Sequence, residues 1–98
     1  MQVVVFGKDN CAVCEATKKR VNFLIEKMGV GDHVKPQFVD VESVDGRAEA
    51  AFHDVFDAIP VTVISNDDQQ ALARWEGEVP NADELRSHFE SAAGASTD

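Results

Sequence analysis

Val3-Val4-Val5-Phe6 is a continuous apolar run closed by Gly7, and within a few residues the apolar pattern becomes helical. A short run without polar alternation suits a strand buried on both faces. Val21, Leu24, Ile25 and Met28 then recur on one side of a helix that Gly29 ends. Lys18, Lys19, Arg20, Glu26 and Lys27 fall on its solvated faces. Gln37 to Val41 resumes an extended pattern, expected to begin after Pro36. A buried strand, a long helix and a second strand are joined most simply as a parallel crossover unit. That unit limits what the rest of the chain can do.

Ala48, Ala51, Phe52, Val55 and Phe56 recur at helical spacing and predict a short second helix from about Gly46 to Asp57. "IPVTVI", residues 59 to 64, reads as a third strand, with Pro60 at its start, where a missing N–H does least harm. The polar turn "SNDDQQ" leads into a fourth strand, Ala71 to Trp75, expected to be antiparallel to the third. Asn81 with Glu84 three residues on marks the start of a final helix through Leu85 and Phe89. The predicted class is α/β, β-α-β-α-β-β-α, with a mixed four-stranded sheet flanked by helices. Residues 1–93 form one domain in this reading, and the tail 94–98 is expected to fray.

Eighteen acidic residues against nine basic ones leave a net charge of −9. That balance argues against nucleic acid and anionic membrane surfaces, both of which require clustered Lys and Arg. No stretch is apolar for long enough to span a membrane, and "MQVVVF" reaches Lys8 and Asp9 too soon for a secretory signal. A cytoplasmic monomer is the expectation.

Cys11 and Cys14 are the chain's two cysteines, and they stand where the first strand gives way to the first helix. A thiol attacks only as thiolate, and a helix N-terminus stabilises that charge with its unpaired N–H groups and its dipole. Cys11 sits at this point with Asn10 before it as a candidate cap, and Lys8 is close enough in sequence to add positive charge. Glu15 opposes both effects. Cys14, about one turn further in, should face the first sulfur and be less exposed. The pattern suits a nucleophile, Cys11, followed by a resolving thiol, Cys14. Two alternatives stay open: two inert core cysteines, or a non-catalytic module sharing zinc or an iron–sulfur cluster across a dimer. One C-x-x-C supplies only two ligands, and His33, His53 and His88 lack metal-site spacing, so no metal residue is assigned within the chain.

With "CAVC" after the first strand and "AIPVTVI" opening the third, the chain resembles the thioredoxin superfamily, and its small size resembles the glutaredoxin branch. "C-x-x-C-x-A-T-K" from Cys11 to Lys18 and "W-x-G-x-x-P" from Trp75 to Pro80 are similar to the glutaredoxin-like redoxins that donate electrons to ribonucleotide reductase. The resemblance implies a cis bond before Pro60 and an Ile59 backbone offered to an incoming peptide. It also marks Ala12, Val13, Trp75 and Gly77 as a candidate partner surface, with Trp75 alternatively a simple cover for the sheet. It implies no cofactor beyond the dithiol, a disulfide-containing protein substrate, and a separate upstream reductant. Ala12-Val13 stands where glutaredoxins commonly carry Pro-Tyr, and Gly77-Glu78 where they carry Gly-Gly. Glu78-Val79 replaces the Phe-Arg typical of the redoxins. A carboxylate at 78 on a chain of net charge −9 should repel anionic glutathione, so a thioredoxin-reductase-like donor is expected ahead of glutathione-dependent recycling.

Overall fold

Every expected element forms in the computed structural model, which describes residues 1–56 and 58–95. In chain order they are β1 (Gln2–Gly7), α1 (Ala12–Met28), β2 (Lys35–Asp40), α2 (Val44–Phe52), β3 (Val61–Ser65), β4 (Ala71–Glu76) and α3 (Ala82–Ala95). The sheet order is β2-β1-β3-β4. β1 runs parallel to β2 and antiparallel to β3, and β4 is antiparallel to β3. No helix among the described residues is long and apolar enough to cross a membrane.

Period-two alternation divides the core into two layers. Val3 and Val5 of β1 join Ile64 and Trp75 on one face, packed by Val21, Leu24 and Ile25 of α1 and by Leu85 and Phe89 of α3. Phe6 turns to the other face, with Val39, Val61 and Val63, beneath Ala50 of α2 and Val55. Two helices cover the first face fully, whereas the nine-residue α2 covers only part of the second. Val4 is therefore left half-buried at the edge of a cleft also lined by Gln37 and Phe52. Phe89 is fully buried, and truncating such a ring to Ala costs about 3–5 kcal/mol.

Three local differences from the sequence expectation have simple causes. Pro36 lies inside β2 rather than before it. β2 is an edge strand, and Lys35 and Val41 donate their N–H groups to Met1 and Gly7, so odd-numbered residues face β1 and Pro36 needs no donor. The second helix is shorter and starts earlier than expected. Asp54 takes a left-handed φ of 57°, while Asp54 and Val55 donate to the carbonyls of Ala51 and Ala50. That is a Schellman ending with Asp where Gly is usual, and Val55 closes it by packing on Ala50. Phe52 and Phe56, expected on the buried face, are 82% and 73% exposed, and Asp57 lies outside the described residues. Gly29 ends α1 with the same pattern of bonds, which its own residue type had signalled. At α3 the Asn81 side chain caps the N–H groups of Asp83 and Glu84 as expected, but the Glu84 carboxylate bonds Trp75 instead. α3 continues through Gly94 to Ala95, and the remainder of the expected frayed tail, 96–98, lies outside the described residues.

The entry into α2 sets a strict steric limit. Ser43 caps the helix by accepting from the Gly46 N–H at 2.9 Å while its hydroxyl donates to the Asp40 carbonyl at 2.8 Å. A Cβ on Gly46 would stand 1.7 Å from that carbonyl oxygen. Gly46→Ala should therefore destabilise the fold by about 3 kcal/mol, read as a lowered urea midpoint at unchanged m-value. An unchanged midpoint would mean that the β2–α2 turn yields at little cost.

Candidate active site

β1 ends at Gly7, and an exposed turn of Lys8, Asp9 and Asn10 leads directly into α1. Asn10 adopts a left-handed φ of 58°, a conformation asparagine tolerates, and so turns the chain rather than capping the helix. The cap is Cys11 itself, in extended backbone, with its sulfur accepting the Cys14 N–H at 3.2 Å. Cys11 thus brings its sulfur onto the helix N-terminus by the same geometry that a capping Ser or Asp would use.

Cys11 and Cys14 are joined in a disulfide, with their Cα atoms 5.2 Å apart. Cys11 is half-buried, whereas Cys14 is 0% exposed. Of the two sulfur-bearing residues, only Cys11 reaches the surface. After reduction, a Cys11 thiolate would keep the Cys14 N–H and the positive end of the α1 dipole as its stabilising neighbours. Thr17, also fully buried, donates its hydroxyl to the Val13 carbonyl at 2.8 Å and ties off the first turn.

Gly7, read from sequence only as the end of a strand, belongs to the site. A Cβ there would lie 3.0 Å from the Cys14 sulfur, 3.1 Å from its Cβ and 3.2 Å from the Phe38 ring. The strand backbone is the wall against which the inner cysteine packs. The sequence signal was the glycine that interrupts an apolar run immediately before the C-x-x-C.

The β1–β3 register brings the downstream proline to this same end of the sheet. Val61 stands opposite Phe6, so the register sets Pro60 level with Gly7, the last residue of β1, and Ile59 one step beyond, at the end where the cysteines stand. The Ile59–Pro60 bond is cis, as the resemblance implied. Pro60 is buried and Ile59 half-buried. The Pro60 carbonyl accepts the Gly77 N–H at 2.7 Å, with Gly77 at a φ of 72°, and Pro60 has no N–H to return, so the β3–β4 ladder stops there. Lys8, Ala12 and Val13 are exposed around the disulfide turn.

Trp75 is only 8% exposed, packs in the larger core layer, and donates its indole N–H to Glu84 at 2.9 Å. It braces β4 against α3, the sheet-covering position that was the alternative reading of this residue. The three histidines stand apart. His53 lies 3.7 Å from Glu49 and packs on Phe6, His88 meets the edge of Trp75, and the His33 carbonyl accepts the Met1 ammonium. Among the described residues no three His, Cys, Asp or Glu side chains are grouped to hold a metal.

Solved structures with the same architecture include thioredoxins. Thioredoxin 1 from Thermosipho africanus matches over 100% of both chains with a TM-score of 0.72 at 18% identity. A mutant thioredoxin from Halobacterium salinarum matches 93% of this chain and 73% of its own at 0.71 and 22%. The oxidized form of mitochondrial thioredoxin 3 from Saccharomyces cerevisiae matches 92% and 76% at 0.67 and 20%. The chain has the thioredoxin fold. No family model matches the sequence, and no curated protein matches it at a significant level.

The tight contact at Gly7 makes a direct test. Gly7→Ala should push the Cys14 sulfur outward and shift the Cys11–Cys14 reduction potential, measured by equilibration with defined dithiol buffers. The same variant should lose about 1–3 kcal/mol of stability through overpacking. An unaltered potential would show that the strand wall does not set the disulfide's geometry.

Proposed function

We propose that this protein is a thiol–disulfide oxidoreductase that reduces disulfides in other proteins. The observation that carries the reading is the asymmetric pair: a half-exposed Cys11 capping α1 and a fully buried Cys14 bonded to it. In the reduced protein the Cys11 thiolate attacks one sulfur of a substrate disulfide. A mixed disulfide forms, and the substrate's other sulfur leaves as thiolate. Cys14, losing its proton, then attacks the Cys11 sulfur, which releases the second substrate thiolate and restores the Cys11–Cys14 disulfide. Two electrons have passed to the substrate, and its two thiolates take up two protons. The dithiol supplies the whole chemistry, and no further cofactor enters the exchange.

Pro60 and Ile59 continue this scheme on the substrate side. The Gly77 bond holds the Pro60 carbonyl, and the half-buried Ile59 backbone, just ahead of the strand, meets an extended substrate segment by main-chain hydrogen bonds. Ala12 and Val13 flank Cys11 and contact the partner, while Lys8 favours the thiolate. The motifs shared with glutaredoxin-like redoxins support a place among small electron donors, fed by a reductase of the thioredoxin-reductase type. Glu78 and the acidic surface weigh against glutathione.

Cys14→Ser should trap a mixed disulfide through Cys11, visible by non-reducing electrophoresis with a disulfide-bonded protein such as insulin, and Cys11→Ser should form none. If the Cys14 variant forms no adduct, the assigned roles are wrong. The upstream donor is tested separately with oxidised protein. NADPH with a thioredoxin reductase should reduce it, and physiological glutathione alone should recycle it slowly. Fast recycling by glutathione would move the protein to the glutaredoxin class.

A further inference from the structure

Between α2 and β3 the described residues are 53–56 and 58–60. Val55 is the buried anchor of this segment, while Phe56 and Ala58 are exposed. A hollow of about 220 Å³ lies under the segment, lined by Asp54, Val55, Phe56, Ala58, Arg74 and Glu76, among others. A loop over such a space needs a tether from its neighbours.

Arg74 supplies one. It stands on β4 opposite Val63, and its guanidinium reaches across to the loop. One terminal nitrogen donates to the His53 carbonyl at 2.6 Å and the other to the Asp54 carbonyl at 2.9 Å. Nε donates to Glu76 at 2.7 Å, which holds the plane of the fork. Both carbonyls belong to the Schellman turn, and Asp54 holds the left-handed backbone of that turn without the freedom of glycine. The fork therefore bridges the turn at the start of the loop and the strand that fixes Pro60 at its end through Gly77. One attachment is on β4 and the other on the residue that follows it.

We propose that Arg74 is a positioning residue for disulfide exchange: it holds the His53–Asp54 turn ahead of Ile59 so that the Ile59 backbone is in register for a protein substrate. This rests on the oxidoreductase reading above. Arg74 touches neither the cysteines nor the substrate. Its effect should be confined to partners that use the Ile59 backbone and absent for a small disulfide that needs only the Cys11 sulfur. Lysine cannot replace it, since an ammonium does not span two carbonyls and a carboxylate in a fixed plane.

The test compares wild type with Arg74→Gln and Arg74→Lys in three assays: reduction of insulin, reduction of the small aromatic disulfide 5,5′-dithiobis(2-nitrobenzoate), and the Cys11–Cys14 reduction potential. Both variants should lose about tenfold in kcat/KM for insulin, mainly through KM, as expected for a misplaced binding segment. The small-disulfide rate should stay within about twofold and the potential should not move. An unchanged insulin reaction in either variant overturns the proposal. So does a parallel fall in both reactions or a shifted potential, which would make Arg74 a support of the whole site. Full function in Arg74→Lys would overturn the fork argument, and that variant carries the same test if Arg74→Gln does not fold. Wild-type protein that reduces neither disulfide would instead remove the oxidoreductase reading itself.

Discussion

The antiparallel pairing of β1 with β3 is the interaction on which the site depends. β1 is hydrogen-bonded on both sides, to β2 and β3, so its C-terminal end cannot shift without disturbing the whole sheet. Gly7 at that end backs the Cys14 sulfur, and Val61 opposite Phe6 delivers Pro60 to the same edge. Two segments separated by about half the chain, the cysteine turn and the proline, are thereby set against one rigid strand. Catalytic geometry held on a strand end and a helix N-terminus is more exact than geometry held on loops alone.

The inner cysteine and the outer one differ because α1 enters at an angle that buries one turn and leaves its cap at the rim. Cys14 shares the buried side of α1 with Thr17, Val21, Leu24 and Ile25. Cys11, as N-cap, is placed just before that periodicity begins. The same 3.6-residue repeat that packs the helix on the sheet therefore sets the exposure of the two sulfurs, burying Cys14 and leaving Cys11 half-buried. A helix cap supplied by a sulfur also joins two functions in one atom: satisfying the helix end and presenting charge there.

The loop from α2 to β3 is the contrasting case. It is anchored by a buried valine, a backbone turn with an aspartate in a glycine-like conformation, and an arginine fork from β4. Exposed Phe52 and Phe56 lie on either side of that turn. β1 is held between two strands, whereas the start of this loop is tethered by side-chain bonds from β4.

Local chemistry made much of this legible in the sequence. The Val3–Phe6 run, the helical face from Val21 to Met28 and the Gly29 stop depend on neighbours a few residues apart, and such periodicities survive without knowledge of the fold. The Cys11–Cys14 spacing at a strand–helix junction likewise set out the site's chemistry before any contact was known. What the sequence could not show depends on backbone turns and packing that residue type alone does not signal. The helix that stops at Phe52 rather than Asp57 does so because Asp54 takes a left-handed turn and Val55 finds Ala50, an outcome composition did not signal. Trp75 is a core brace because β4 lies under α3, and the "W-x-G-x-x-P" pattern carries no information about which face of the strand is covered. Gly7 meets the Cys14 sulfur only once α1 packs on β1, and Arg74 finds the carbonyls of His53 and Asp54 about twenty residues away. Patterns of residue type determined the elements and the reactive pair, while tertiary packing decided exposure and support, because both are properties of distances that the order of residues does not contain.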